Sequence, residues 1–145
     1  MSAEDDHLVV KGQKLTVEFG VLDNGSMPAK EFLDSLDERD VYRLVTILKR
    51  AADHGVLGVN NKTIFRQERD FWAAKHNKCK RGPKGRTMVR LVAYLKHDRL
   101  ILTHGFWKPP QGPWPEKEFL TAIEYRDEMN AREKRENWKG GNDHG

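Results

Sequence analysis

Thr87-Met88-Val89-Arg90-Leu91-Val92-Ala93-Tyr94-Leu95 and Leu100-Ile101-Leu102-Thr103-His104-Gly105-Phe106 are two β-rich runs separated only by Lys96-His97-Asp98-Arg99. Two extended segments that close together bond most simply to each other, so the stretch predicts an antiparallel hairpin. Upstream of it, Lys80-Arg81-Gly82-Pro83-Lys84-Gly85 has the glycines and proline of a loop. Further upstream, Ile64 to Ala74 reads as one more strand, with Phe71 and Trp72 in the core.

The N-terminal half supplies the layer that covers this sheet. Lys14 to Leu22 alternates apolar Leu15, Val17, Phe19 and Val21 with polar or small residues, the period of a strand buried on one face. Asp23-Asn24-Gly25-Ser26 is a turn. Pro28 suits the first turn of a helix to Leu36 that carries Phe32, Leu33 and Leu36 inward. Asp37 can cap a second helix to Asp53, with Val41, Leu44, Val45 and Leu48 on one side and Gly55 ending it.

Beyond the hairpin, Pro109, Pro110, Pro113 and Pro115 exclude regular structure between Lys108 and Trp114. Glu116 to Trp138 predicts a helix that buries Phe119, Leu120 and Ile123. Its charged second half is expected to protrude, supported by a Glu128–Arg132 pair. The expected class is α+β: a twisted antiparallel sheet of about four strands, two N-terminal helices and a C-terminal helix. Residues 1–13 are expected to be disordered, 14–138 to form a single domain and 139–145 a flexible tail.

Charge is unevenly placed. From Lys75 to Arg90 there are seven Lys/Arg and no acid, so the rest of the chain carries −3 of the formal +4. A concentrated positive stretch is what a polyphosphate selects. Residues 1–40 hold ten acids and four bases, which suggests a two-faced molecule. No apolar run approaches the length of a membrane span, and Met1 to His7 is acidic, unlike a signal peptide. The single cysteine, Cys79, cannot form an internal disulfide, in keeping with a reducing cytoplasm; the cations around it would lower its pKa. His76, His97 and His144 have no ligand spacing, and one cysteine allows no zinc knuckle, so neither metal nor cofactor is expected.

Three local patterns together resemble the RelE/ParE toxin superfamily, in particular its HigB-like, phage-derived branch. They are Phe32-Leu33-Asp34-Ser35-Leu36 followed by a helix ending near Asp53-His54-Gly55; Arg90-Leu91-Val92 followed closely by Tyr94; and His104-Gly105-Phe106-Trp107-Lys108 followed by Pro115-x-x-Glu118-Phe119. The match spans roughly residues 15–128. The resemblance implies a RelE-like toxin domain that cleaves mRNA on the ribosome by metal-free attack of the 2′-hydroxyl on its own phosphate. The partners implied are the ribosome, mRNA and a small helix-turn-helix antitoxin.

Such a reaction needs cations aimed at the phosphorane and groups that move protons. Arg90 matches the family's strand arginine. Arg86, four residues earlier, would share its face by strand period. Lys75 ends the second strand, Lys108 occupies the cation position after Phe106, and His104 is a candidate proton shuttle unless its strand buries it. Lys78, Lys80, Arg81 and Lys84 read as a phosphate-contacting loop, and Trp114 as a base-stacking platform or a loop anchor. Pro109-Pro110-Gln111-Gly112-Pro113-Trp114-Pro115 stands where this branch usually has a second lysine and Lys-Thr-Pro. That departure keeps two alternatives open: a non-enzymatic ParE-like toxin that binds gyrase, and a catalytically degraded phage-derived binding module.

Overall fold

The computed structural model describes residues 6–80 and 82–142, with side chains as far as Trp138. The elements run β1 (Leu8–Lys11), β2 (Thr16–Phe19), α1 (Pro28–Asp34), α2 (Glu38–His54), β3 (Phe65–Glu68), β4 (Phe71–His76), β5 (Met88–Lys96), β6 (Arg99–Lys108) and α3 (Glu116–Asn142). The strands form one sheet in the order β1-β2-β6-β5-β4-β3. Every neighbouring pair is antiparallel except β2 and β6, which run parallel from Thr16↔Arg99 to Phe19↔Leu102.

This corrects the expected four-stranded antiparallel sheet: it has six strands, it is mixed, and two strands rather than one precede the helices. Two features hid the extra strands. Leu8-Val9-Val10-Lys11, expected to be disordered, is too short and too close to acidic residues to show a period, yet it pairs with β2. The run from Ile64 to Ala74 is two strands because the chain reverses at Arg69-Asp70. Arg69 adopts φ 54° there, without the glycine or asparagine that usually marks such a turn.

Each face of the sheet has its own core. On one face Val17, Val89, Leu91, Leu100 and Leu102 meet Leu33 of α1 and Leu44, Ile47 and Leu48 of α2. On the other, Phe71, Val92, Tyr94, Ile101 and Phe106 meet Phe119, Ala122 and Met129 of α3. Asp37 caps α2, its carboxylate accepting from Arg39 N, and Gly55 follows the helix at φ 84°.

A bulge in β6 joins the two halves. Pairing steps from Val92↔His104 to Ala93↔Leu102, so Thr103 is the extra residue. Before it, Leu100 and Leu102 face α1 and α2; after it, His104, Phe106 and Lys108 face α3. One inserted residue exchanges the faces.

α3 also departs from expectation. Phe119, Ala122 and Met129 are its buried positions, whereas Leu120 and Ile123 are exposed. Its second half is fastened rather than protruding: Glu133 bonds both Lys96 and Arg99, Arg99 also grips Glu18, and Arg135 pairs with Asp23. Glu128 accepts from Asp23 N at 2.7 Å, and Arg132 pairs with Glu136, not with Glu128. The helix continues to Asn142, into the segment expected to be a flexible tail. Among the described residues no helix is long and apolar enough to cross a membrane.

Candidate functional site

Three of the five expected catalytic residues meet at one end of the α3 face. Lys75 and Arg90 are directly opposed across β4 and β5, and Lys108 faces Met88, two residues from Arg90. Period-2 side-chain direction puts all three on the same side of the sheet. Arg90 is 3% exposed and Lys108 8%, while Lys75 is half-buried. Burial pushes the Lys75 amine below the usual lysine range, and the charges of Arg90, Arg66 and Lys108 push it the same way. Burial, then Arg90, acts likewise on Lys108. Burial also lowers Arg90, although a guanidinium keeps its charge.

Cations held together at this cost lack a counter-charge of matching size. Arg90 Nη1 donates to Asn77 Oδ1 and to Val89 O, both at 2.8 Å. Its Nε is the one buried side-chain polar atom among the described residues with no partner. Lys108 Nζ donates to Pro109 O at 3.1 Å and Lys75 Nζ to Lys62 O at 3.3 Å, weak uses of full charges. The acid acting on all three cations is Glu68, which also pairs with Arg66 at 3.2 Å.

Arg66, Glu68 and Asn77 are missing from the expected site. Arg66 and Glu68 share a β3 face opposite Ala73 and Phe71. Recognising the Arg69-Asp70 reversal would have placed both beside the cations.

The other expected residues lie elsewhere. Arg86 precedes β5 rather than sitting within it, and its guanidinium donates to Trp107 O at 3.2 Å. It is not among the charges that shift Lys75, Arg90 or Lys108. His104 is in the α3 core, 6% exposed, bonded to Thr103 Oγ1 at 3.0 Å and Glu118 Oε1 at 3.2 Å. It stacks on Phe106, and burial pushes its pKa down to about 4. Of the two readings left open for His104, this enclosed ring fits the buried core histidine. Trp114 is buried, stacked on Phe119 and edge-on to Phe106, so it anchors the proline loop and has no free face for a base.

The basic loop is tied to α2. Asp40 accepts from His76 Nε2 at 2.9 Å and from Lys80 N at 3.1 Å, and Lys80 Nζ pairs with Asp37 at 3.1 Å. Lys78 and Lys84 are exposed, and Arg81 lies outside the described residues. Cys79 is buried beside Asp40; burial and that carboxylate push its thiol up to about 12, the reverse of the lowering expected from its basic neighbours. No metal site was expected from the spacing of the histidines, yet Asp40, His76 and Cys79 bring their ligand atoms within 4.8 Å of one another. Sequence spacing hid this, as Asp40 lies 36 residues before His76.

No protein-family model matches the chain, and no curated protein matches it.

Proposed function

We propose that this protein is an endoribonuclease acting on ribosome-bound mRNA in the cytoplasm, the toxin of a pair neutralised by a small antitoxin. The observation that carries the reading is the group Lys75, Arg90 and Lys108, brought from three strands to one face with the Arg90 Nε unpartnered. A phosphodiester is the ligand class that uses several converging cations at once.

In the reaction, the RNA 2′-oxygen bonds to the adjacent phosphorus as its proton leaves. The phosphorus–5′-oxygen bond then breaks, giving a 2′,3′-cyclic phosphate and a 5′-hydroxyl. Lys75 and Arg90 stabilise the phosphorane charge. Glu68, the carboxylate acting on all three cations, would accept the 2′-hydroxyl proton in this reading. Lys108 would stabilise or protonate the departing oxygen.

The test is mRNA 5′-end mapping in a translating extract. Lys75→Ala should lower cleavage about 100- to 1000-fold, the usual loss for one preorganised donor. Arg90→Ala should do at least as much, and Arg90→Lys should rescue poorly because a point charge does not reproduce the guanidinium fork. Lys84→Ala, in the exposed loop, should cleave normally. Full cleavage by Lys75→Ala and Arg90→Ala would overturn the catalytic assignment. It would favour the degraded binding module, a reading supported by the tether from Lys108 to Pro109 O.

A further inference from the structure

On the opposite face of the sheet from the cation group, α2, the end of β4 and the loop after it bring together three donors of different kinds. His76 pairs with the core residue Val89, whereas its neighbour Lys75 pairs with Arg90, so the two side chains point to opposite faces. Asp40 is 6% exposed, Cys79 5%, and the His76 side chain 12%.

We propose that Asp40, His76 and Cys79 bind a zinc-class divalent ion that clamps the basic loop to α2. Carboxylate, imidazole and thiolate form a donor set typical of zinc or cobalt. The Asp40 Oδ1 to His76 Nε2 separation is 2.9 Å, and tetrahedral ligation at about 2.0–2.1 Å per bond needs about 3.3 Å. A shift of a few tenths of an ångström admits the metal there, with Sγ moving in from the third corner. Lys80 N holds Asp40 Oδ2, leaving Oδ1 to ligate. An adjoining cleft of about 360 Å³, lined by Leu36, Asp37, Lys80, Pro83 and Trp107, reaches the site at Asp40, the one of the three ligands that lines it.

Binding replaces the hydrogen bond from His76 to Asp40 with metal bonds to Oδ1, Nε2 and Sγ; the ring proton passes from Nε2 to Nδ1 by exchange with solvent and the thiol proton is released, so one proton leaves and affinity rises with pH. The clamp also reaches the other face. Asn77, between His76 and Cys79, accepts from Arg90 at 2.8 Å, so ordering this loop fixes the guanidinium.

The probe is cobalt(II) added to metal-stripped full-length protein. Expected is a near-ultraviolet thiolate-to-cobalt band that zinc abolishes, together with a rise in thermal midpoint on adding zinc. Cys79→Ser should lose the band and respond less to zinc, and Asp40→Asn should bind cobalt at least tenfold more weakly. Absence of a thiolate band in the wild-type protein overturns the proposal, as does a band that persists in Cys79→Ser. These readouts need no RNA, so they stand or fall separately from the nuclease assignment.

Discussion

A Cβ on residue 105 would lie 2.2 Å from Cδ2 of Phe32 and 2.6 Å from its Cγ, so β6 can approach α1 only as glycine. Gly105→Ala must displace the ring and Trp107, which meets it edge-on. Overpacking of this kind costs about 1–3 kcal/mol, to be read as a lower urea midpoint with an unchanged slope. His104 sets a second residue-scale expectation. It is neutral when folded down to about pH 4, while the unfolded ring protonates near pH 6.5. The unfolded state therefore binds more protons through that window, and stability falls as pH drops. Between pH 6.5 and 5 the loss is about 1.6 kcal/mol, since the full slope of about 1.4 kcal/mol per pH unit is reached only well below the unfolded value. Burial raises the neighbouring Glu118, which acts in the opposite sense and offsets part of it. Urea titrations at both pH values should show a flatter profile for His104→Gln than for wild type. Equal slopes would mean that the ring is not held neutral.

Among the elements, legibility followed periodicity. The hairpin of β5 and β6 and the helix capped by Asp37 were readable because alternation, i, i+3, i+4 spacing and a capping residue coincide there. β1 and the β3–β4 reversal were not, since four-residue strands show little period and Arg69 takes a positive φ without a glycine. Lys75, Arg90 and Lys108 were singled out through the family resemblance of their positions, whereas Glu68 depended on the missed reversal. For His104 the sequence left proton shuttle and buried core histidine both open, because the bulge at Thr103 that turns the end of β6 towards α3 has no mark in composition. The ion group of Arg99, Glu18, Glu133 and Lys96 was likewise hidden, as it joins residues 34 to 81 apart. It makes a testable claim about α3. Bonds from Arg99 and Lys96 hold the Glu133 carboxyl down at about 2, against the burial that would raise it. Glu133→Ala should leave two partly buried cations underused, at a cost of about 1–3 kcal/mol. Amide exchange should then quicken in α3 beyond Met129 while β5 stays protected.

For the whole molecule the deciding quantity is how charge is divided between the surfaces. The segment from Lys75 to Arg90 carries seven cations, yet the fold spends them differently. Lys80 is paired with Asp37, Arg86 is turned to a backbone carbonyl, and Lys78 and Lys84 stand in solvent. Lys75 and Arg90 instead join Lys108 and Arg66 on the α3 face, where Glu68 offsets only one charge. If these four meet RNA phosphates, each releases condensed counterions, and the log–log dependence of affinity on salt should have a slope of about −3, taking roughly −0.7 per contact. A double variant, Arg66→Ala with Lys75→Ala, removes two contacts and should bring the slope to about −1.4 on the same relation. Lys78→Ala with Lys84→Ala should change it little, although both pairs remove the same formal charge. Binding of single-stranded RNA titrated from 50 to 300 mM salt decides the matter. A smaller slope in the first pair alone assigns the contact to the cation group on the sheet. Equal reductions in both pairs would show that RNA responds to net charge only, and the converging cations would then lose their claim to be the contact surface.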